Sequence, residues 1–349
     1  MKKLGYLISV VFFVAAIVFP FRAYSEQIKL VIASFIPETA PINDVLREWA
    51  KELEERSKGR VKTDVNCGSV MGKPSEHFDL AVNGIADVAL VGLVFTPGRF
   101  PMAEVAEFPI GGQGWKNEIA SMAMLKLYGK GYFDMDFKDV RLCFFGNAGP
   151  FHIQMTKNPI RTFEDIKGKK VRGAGKTHTQ IVQSMGGVSV GIAGGEVTIA
   201  LQKGIIDGSF MPYAATYDWK CADIIKHITE VGIGTNSFAI VMNKNSYEKL
   251  PKDLQAWIDD ARGIYTHKAG KAMYYTEEKG KQDFLKAGGK VYQFSDADMQ
   301  KLSNAIAPLW LKWIEEGKAK GLPRKEMLKD LYNFLKNSGI NPQFPGYTP

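Results

Sequence analysis

Metal-ligand spacing is missing from this 349-residue chain. Its three cysteines, Cys67, Cys143 and Cys221, are far apart and odd in number, so neither a disulfide framework nor a C-x-x-C motif can be read, and at least one thiol must be free. Its five histidines, His77, His152, His178, His227 and His267, never fall into H-x-x-x-H or H-E-x-x-H register. No cofactor is expected. Repeats and low-complexity tracts are missing too. Charge is not concentrated: 45 basic and 37 acidic residues are interspersed for a formal +8, a mild surplus that predicts solubility and argues against nucleic-acid binding.

Long apolar runs are confined to the start. "MKKLGYLISVVFFVAAIVFPFRAYSEQ" carries Lys2 and Lys3, an apolar stretch Leu7 to Val18, and Ala23-Tyr24-Ser25 as a small-x-small cleavage site. These are the three parts of a secretory leader over residues 1–25. A membrane anchor is the alternative, because Leu4 to Phe21 runs without a charge at the lower limit for spanning; Pro20 and the tripeptide favour cleavage. Losing Lys2, Lys3 and Arg22 with the leader reduces the formal charge to +5. The expected product is exported, and its roughly 324 residues exceed one ordinary core and suggest two domains.

One stretch invites a nucleotide reading. "GKKVRGAGKTHTQ", residues 168–180, nearly spells a phosphate-binding loop, but the first glycine of G-x-x-x-x-G-K-[ST] would have to stand at Lys170. Lys169 to Arg172 reads as a strand, and Gly173-Ala174-Gly175 alone is left to turn before a helix from about Lys176. Arg172 therefore stands at the carboxyl end of a strand, where open α/β sheets bind ligands. Its planar fork suits a carboxylate, and the helix start behind it suits an anion. A surface arginine in a basic chain is the competing reading.

Around this stretch the pattern is strand–helix–strand. "QIKLVIAS", "RVKTDVN" and "DVALVG" read as strands, separated by a helix with Ile42, Val45, Leu46, Trp49 and Leu53 on one face and a second over "PSEHFDLAVNG". A second series begins near Phe151 with "FHIQMTK", "KKVRG", "VSVG" and "IIDGSFM". Two α/β lobes with open parallel sheets are expected. "DVRLCFFGN" and "SFAIVMNK" read as strands crossing between them at a hinge. One helix of about 35 residues, ~50 Å long, follows and could brace both lobes. The expected division is 26–150 plus about 236–275 for the first lobe, and 151–235 plus about 276–349 for the second.

"GVSVG" at 187–191 matches the nucleophile-elbow pattern, with Asp207 and His227 following Ser189 in α/β-hydrolase order. An elbow needs a strand before its serine and a helix after; here the preceding segment is helical and Val188-Ser189-Val190 is itself strand-like. An exported serine hydrolase stays as the alternative function.

"FEDIKGKKVRGAG" followed by "GGEVTIALQKGIIDG" resembles the P-x-D-L-K-G-x-K-x-R and E-V-Y-x-A-L-Q-x-G-x-x-D-G segments of the DctP-like solute-binding subunits of TRAP transporters. "MGKPSEHFDLAVNGIADVAL" and "TPGRFPMAEVAEFP" resemble first-lobe segments, so the likeness spans essentially the whole mature chain. It implies a two-lobed periplasmic clamshell that closes on a small organic anion and docks on membrane permease subunits, without catalysis; a monomer is expected. A ligand-binding module feeding a sensor is a third possibility. Arg172 falls on the family's carboxylate-gripping arginine. Met211-Pro212 stands where many members have Asn-Pro, Gly194 where an aromatic residue often lines the pocket, and His152 where acidic-sugar binders place a second basic residue. A roomier, less polar pocket is expected, suited to a monocarboxylate with a ring or apolar portion.

The other expected contacts are Ile36, Ser69, Gly92 and Phe95 at first-lobe strand ends, and Tyr213 and Tyr217 after the Met-Pro turn; packing in a lobe core is the alternative for each. A hydrogen bond to a charged group nets about 1.5–3 kcal/mol and micromolar binding needs about 8 kcal/mol, so Arg172 alone is insufficient. Burying about 150 Å² of ligand would add roughly 4 kcal/mol.

Overall fold

A computed structural model of the chain describes residues 27–349 apart from Gly114; the expected leader lies outside the described residues. Among the described residues no helix is long and apolar enough to cross a membrane, and Cys67, Cys143 and Cys221 are all buried, free thiols.

β1 (Ile28–Ala33) leads to α1 (Pro41–Ser57), whose Ile42, Val45, Leu46, Trp49 and Leu53 are all buried. Proline opens this helix, and Lys58 in the left-handed region closes it. β2 (Val61–Asn66), α2 (His77–Val82), β3 (Val88–Gly92), β4 (Gly111–Gln113), α3 (Asn117–Gly129) and β5 (Val140–Asn147) complete the first pass. The chain then crosses over. β6 (Phe151–Met155), β7 (Lys170–Arg172), α4 (Gly175–Ser184), β8 (Val188–Val190), α5 (Val197–Gln202), β9 (Gly208–Met211), α6 (Tyr213–Asp218) and β10 (His227–Ile233) build the second lobe. β11 (Ser237–Asn243) and α7 (Lys244–Lys249) return to the first.

The first sheet has strand order β2-β1-β3-β11-β5 and the second β12-β10-β6-β9-β7-β8, where β12 (Lys290–Gln293) is contributed later in the chain. Both are mixed rather than parallel. β11 is antiparallel to β3 and β5, and β6 is antiparallel to β9 and β10. The reason is the crossing itself, because a strand arriving from the other lobe runs opposite to the β/α units already there.

The two crossings are tied together. Ala148 N donates to Asn236 O (2.9 Å), Phe151 N to Gly234 O (3.2 Å), and Thr235 Oγ1 to Ala148 O (2.7 Å). Gly234 turns at φ +71, a conformation that L side chains rarely adopt.

α8 (Lys252–Lys286) is a single helix of 35 residues. Six of its residues, from Leu254 to Met273, enter the first-lobe core with α1, and Phe284 enters the second. Tyr265 donates to Glu52 on α1 (2.7 Å), and Phe145 N on β5 donates to Thr266 Oγ1 (3.1 Å). Gly270 and Gly280 let α8 touch backbone directly, at Glu118 on α3 and at the Tyr213 carbonyl on α6; a Cβ at either would overlap it. With neighbours on several sides, the helix needs no single apolar face.

α9 (Asp296–Ala319) also bridges: Leu302 and Ile306 pack in the second lobe, Trp310 and Trp313 in the first. α10 (Arg324–Asn337) then buries Met327, Leu328, Leu331 and Leu335 in the first-lobe core, and β13 (Asn341–Gln343) pairs with β4. The division expected from sequence placed 276–349 wholly in the second lobe. It fails from about the middle of α9, because that helix carries the chain back across.

Glu277 on α8 couples these parts. Its buried carboxylate accepts from Tyr213 N (3.1 Å) and Ala214 N (2.7 Å) at the start of α6, and it lies so close to Gly149 in the first crossing that a Cβ there would overlap it. Burial raises its pKa to about 8, against an ordinary 4.5. A carboxyl with a raised folded-state pKa stabilises below the unfolded pKa and loses that contribution as pH rises through the folded one. Glu277→Gln removes this titration. The melting temperature of Glu277→Gln minus that of wild type should therefore increase between about pH 5 and pH 8 and level off above; a difference independent of pH would contradict the assignment.

Candidate functional site

A cavity of about 750 Å³ lies between the lobes. The first lobe supplies Phe35, Ile36, Ser69, Phe95 and Phe238, and the second Phe151, Arg172, Met211, Ala214 and Trp219. The Phe35 ring meets Phe95 edge-on at 5.4 Å and leans on Phe238 at 6.2 Å, forming an aromatic wall. Gly92 does not line the cavity. It sets this wall, because a Cβ there would come within 2.6 Å of the Phe95 ring and 3.1 Å of Phe35.

Arg172 ends β7 and is 2% exposed. Nε donates to Ile192 O (3.1 Å) and the guanidinium lies over the Trp219 ring at 5.4 Å. Among the described residues it makes no ion pair and no second hydrogen bond. Burial pushes its pKa down to about 10, so it stays charged near neutrality. Arg324 on α10 provides a contrast, a buried arginine that has a carboxylate partner although its Nε has none. It is 3% exposed, donates to Trp313 O (2.5 Å) and Pro101 O (2.7 Å), and pairs with Glu104 (3.3 Å).

The glycines beside Arg172 serve packing. A Cβ on Gly173 would approach Thr179 N within 2.6 Å, and one on Gly175 would overlap the carbonyl of Val94 in the first lobe. The near-match to a phosphate loop thus arises from close backbone approach on both sides of the turn.

Besides Gly92, three expected contacts lie elsewhere. Counting back from Arg172 leads to His152, but successive side chains on a strand face opposite ways, and Phe151 takes the cavity side. The His152 Nδ1 accepts from Gly232 N (3.3 Å), its ring packs 5.1 Å from Tyr213, and burial lowers its pKa to about 4, leaving it neutral. Tyr213 and Tyr217, one helical turn apart on α6, face α8: the Tyr213 ring lies 6.2 Å from Phe284 while its hydroxyl donates to Glu230 on β10 (3.0 Å), and Lys279 lies over the Tyr217 ring at 5.9 Å. Ala214, Ala215 and Asp218 are the α6 residues on the cavity.

Phe35, Trp219, Asp218 and Asn236 also line the cavity and were not anticipated. Trp219 had a readable signal. A Cβ on Gly194 would fall 2.6 Å from its ring, so the missing aromatic residue at 194 and the tryptophan belong together. Asp218 Oδ1 is buried without a hydrogen-bond partner among the described residues, and burial raises the carboxyl's pKa to about 7.

Ser189, Asp207 and His227 do not converge. Ser189 is on the edge strand β8 and His227 on β10, with β7, β9 and β6 between them, a separation of roughly 19 Å at 4.8 Å per strand. The Asp207 carboxylate accepts from Lys170 N (2.8 Å), and His227 meets Tyr292 Oη (3.2 Å).

Residues 32–316 match the family model for bacterial extracellular solute-binding protein, family 7, DctP. The chain belongs to this family. A solute-binding protein of Albidiferax ferrireducens is 25% identical over 74% of this chain and 76% of its own length. The TRAP periplasmic solute-binding protein of Desulfovibrio salexigens is 30% identical, covers 90% of this chain and 97% of its own, and superposes with a TM-score of 0.77. A TRAP solute-binding protein from an unidentified marine microbe, described as specific for aromatic acid ligands and bound to metahydroxyphenylacetate, is 26% identical, with 90% and 100% coverage and a TM-score of 0.82. The clamshell and its long bridging helix are thus those of TRAP periplasmic solute-binding proteins.

In this DctP-family chain Gly194 and Trp219 form one packing unit. Gly194→Ala should cost about 1–3 kcal/mol by overpacking against the tryptophan, read as a lower urea midpoint at unchanged slope. Stability equal to wild type would mean that Trp219 is not held against this position.

Proposed function

We propose that this TRAP solute-binding protein captures a small organic monocarboxylate with a ring or apolar body and presents it to membrane permease subunits, without catalysing a reaction. The observation that carries this reading is Arg172, a buried guanidinium with one protein acceptor, set in a wall that is otherwise largely apolar and aromatic. A ligand carboxylate would accept its free N–H groups in a bidentate pair. The ring would lie between Phe35, Phe95 and Phe238 on one side and Trp219 and Met211 on the other. His152, neutral and turned to Gly232, offers no second charge, which disfavours a dianion. The marine relative's aromatic acid supports the class. Export to the periplasm follows from the leader read in residues 1–25, and action as a monomer is part of the proposal.

Closure would be stabilised by the ligand touching both lobes, so binding and conformational change share one free energy. Arg172→Met tests the central pair. Calorimetry against a panel of aromatic and alicyclic carboxylates should show binding lost. The empty variant should be as stable as wild type or more so, by about 1 kcal/mol, because a buried unpaired charge has been removed. Retained affinity, or a variant that is strongly destabilised when empty, would contradict the proposal.

A further inference from the structure

We infer that the cleft selects acids whose body carries a hydrogen-bond donor, a hydroxyl or an amino group, and that Asp218 and Asn236 receive it. This rests on the proposed capture of a ring acid by Arg172 and names a second recognition element in the same cavity. Asp218 is the last residue of α6, one turn beyond the cavity-lining Ala214. Asn236 is in the second crossing between the lobes and is 4% exposed. Both line the cavity, and both have an oxygen, Asp218 Oδ1 and Asn236 Oδ1, that is buried without a hydrogen-bond partner. Two other polar side chains of the wall are occupied: Ser69 Oγ donates to Phe35 O (3.2 Å), and Glu76 accepts from Lys73 N (2.7 Å).

Buried acceptors left open disfavour a guest that cannot donate, and favour one that can. Asp218 belongs to the second lobe and Asn236 to the second crossing, so a guest that donates to both would also join two parts of the clamshell. The chemistry asked of the ligand is therefore an acid at one end, for Arg172, and an O–H or N–H on its body.

The test is calorimetry with benzoate and cyclohexanecarboxylate, each unsubstituted or carrying a hydroxyl, amino or methoxy group at every ring position. For wild type, at least one hydroxyl or amino isomer should bind about tenfold tighter than both its parent and its methoxy counterpart. In Asp218→Leu that ratio should fall below about threefold, whatever the parent's own affinity, while Asp218→Asn, which keeps an acceptor, should retain part of it. If Asp218→Leu does not fold by circular dichroism, Asp218→Ala supplies the same ratio. A gain confined to the aminocyclohexanecarboxylates assigns a cationic donor, and a gain for hydroxyl isomers or aminobenzoates a neutral one; either supports the inference. Parent and methoxy acids binding as tightly as the donors, or a ratio unchanged in Asp218→Leu, would overturn it while leaving the role of Arg172 intact. Failure of every acid to bind wild type would instead overturn the capture of ring acids, and this inference with it.

Discussion

The structure is organised around a positive charge that the protein itself does not neutralise. Arg172 is as buried as Arg324, yet one has a carboxylate and two carbonyls while the other has the Ile192 carbonyl and the face of Trp219. Removing a guanidinium from water without an anion is costly, and folding alone gains nothing from it. A guest anion recovers that cost on binding. The same free energy would favour the closed state, because the cavity walls come from both lobes.

Such a site needs lobes that can move and still be held in register. The two crossings are hydrogen-bonded to each other, and Gly149 and Gly234 give them the clearance they need. Glu277 transmits the arrangement: from the long helix it caps α6, the element that carries Ala214 and Asp218 and leads into Trp219, while resting against Gly149 in the first crossing. A second network fixes the turn before α6, with Gln154 Nε2 donating to the Met211 and Pro212 carbonyls (3.1 Å each) and Thr216 Oγ1 donating to Gln154 Oε1 (2.7 Å). Movement at the crossings is thereby linked to one wall of the cavity.

The local parts of this architecture were legible in the chain. The buried face of α1, the extent of α8 and the placing of Arg172 at a strand end all follow from periodicity and from glycine and proline punctuation, which depend on neighbours in sequence. Strand direction was not legible, because β6 and β11 take theirs from the lobe they leave. The return of α10 to the first lobe was hidden for the same reason, since a helix's apolar face does not say which core receives it. Within the site, the choice of His152 failed by one residue on a strand, and that of Tyr213 and Tyr217 by one position on a helix. An offset of that size reverses a strand side chain and turns a helical one by about 100°.

Gly194 and Trp219 show how a pocket can change while its frame stays the same. A side chain at 194 would occupy the space where the tryptophan ring now lies, so the aromatic surface comes from the end of α6 instead of the loop before α5. The two sources are not equivalent. A ring supplied from α6 also lies under the Arg172 guanidinium, where its π face screens the charge without accepting the N–H groups. It leaves those donors for a ligand, and Asp218, the adjacent residue, lines the same cavity. The glycine at 194 thus makes room for an aromatic wall that keeps the arginine's donors open beside an acceptor, three properties that together bear on which acid fits.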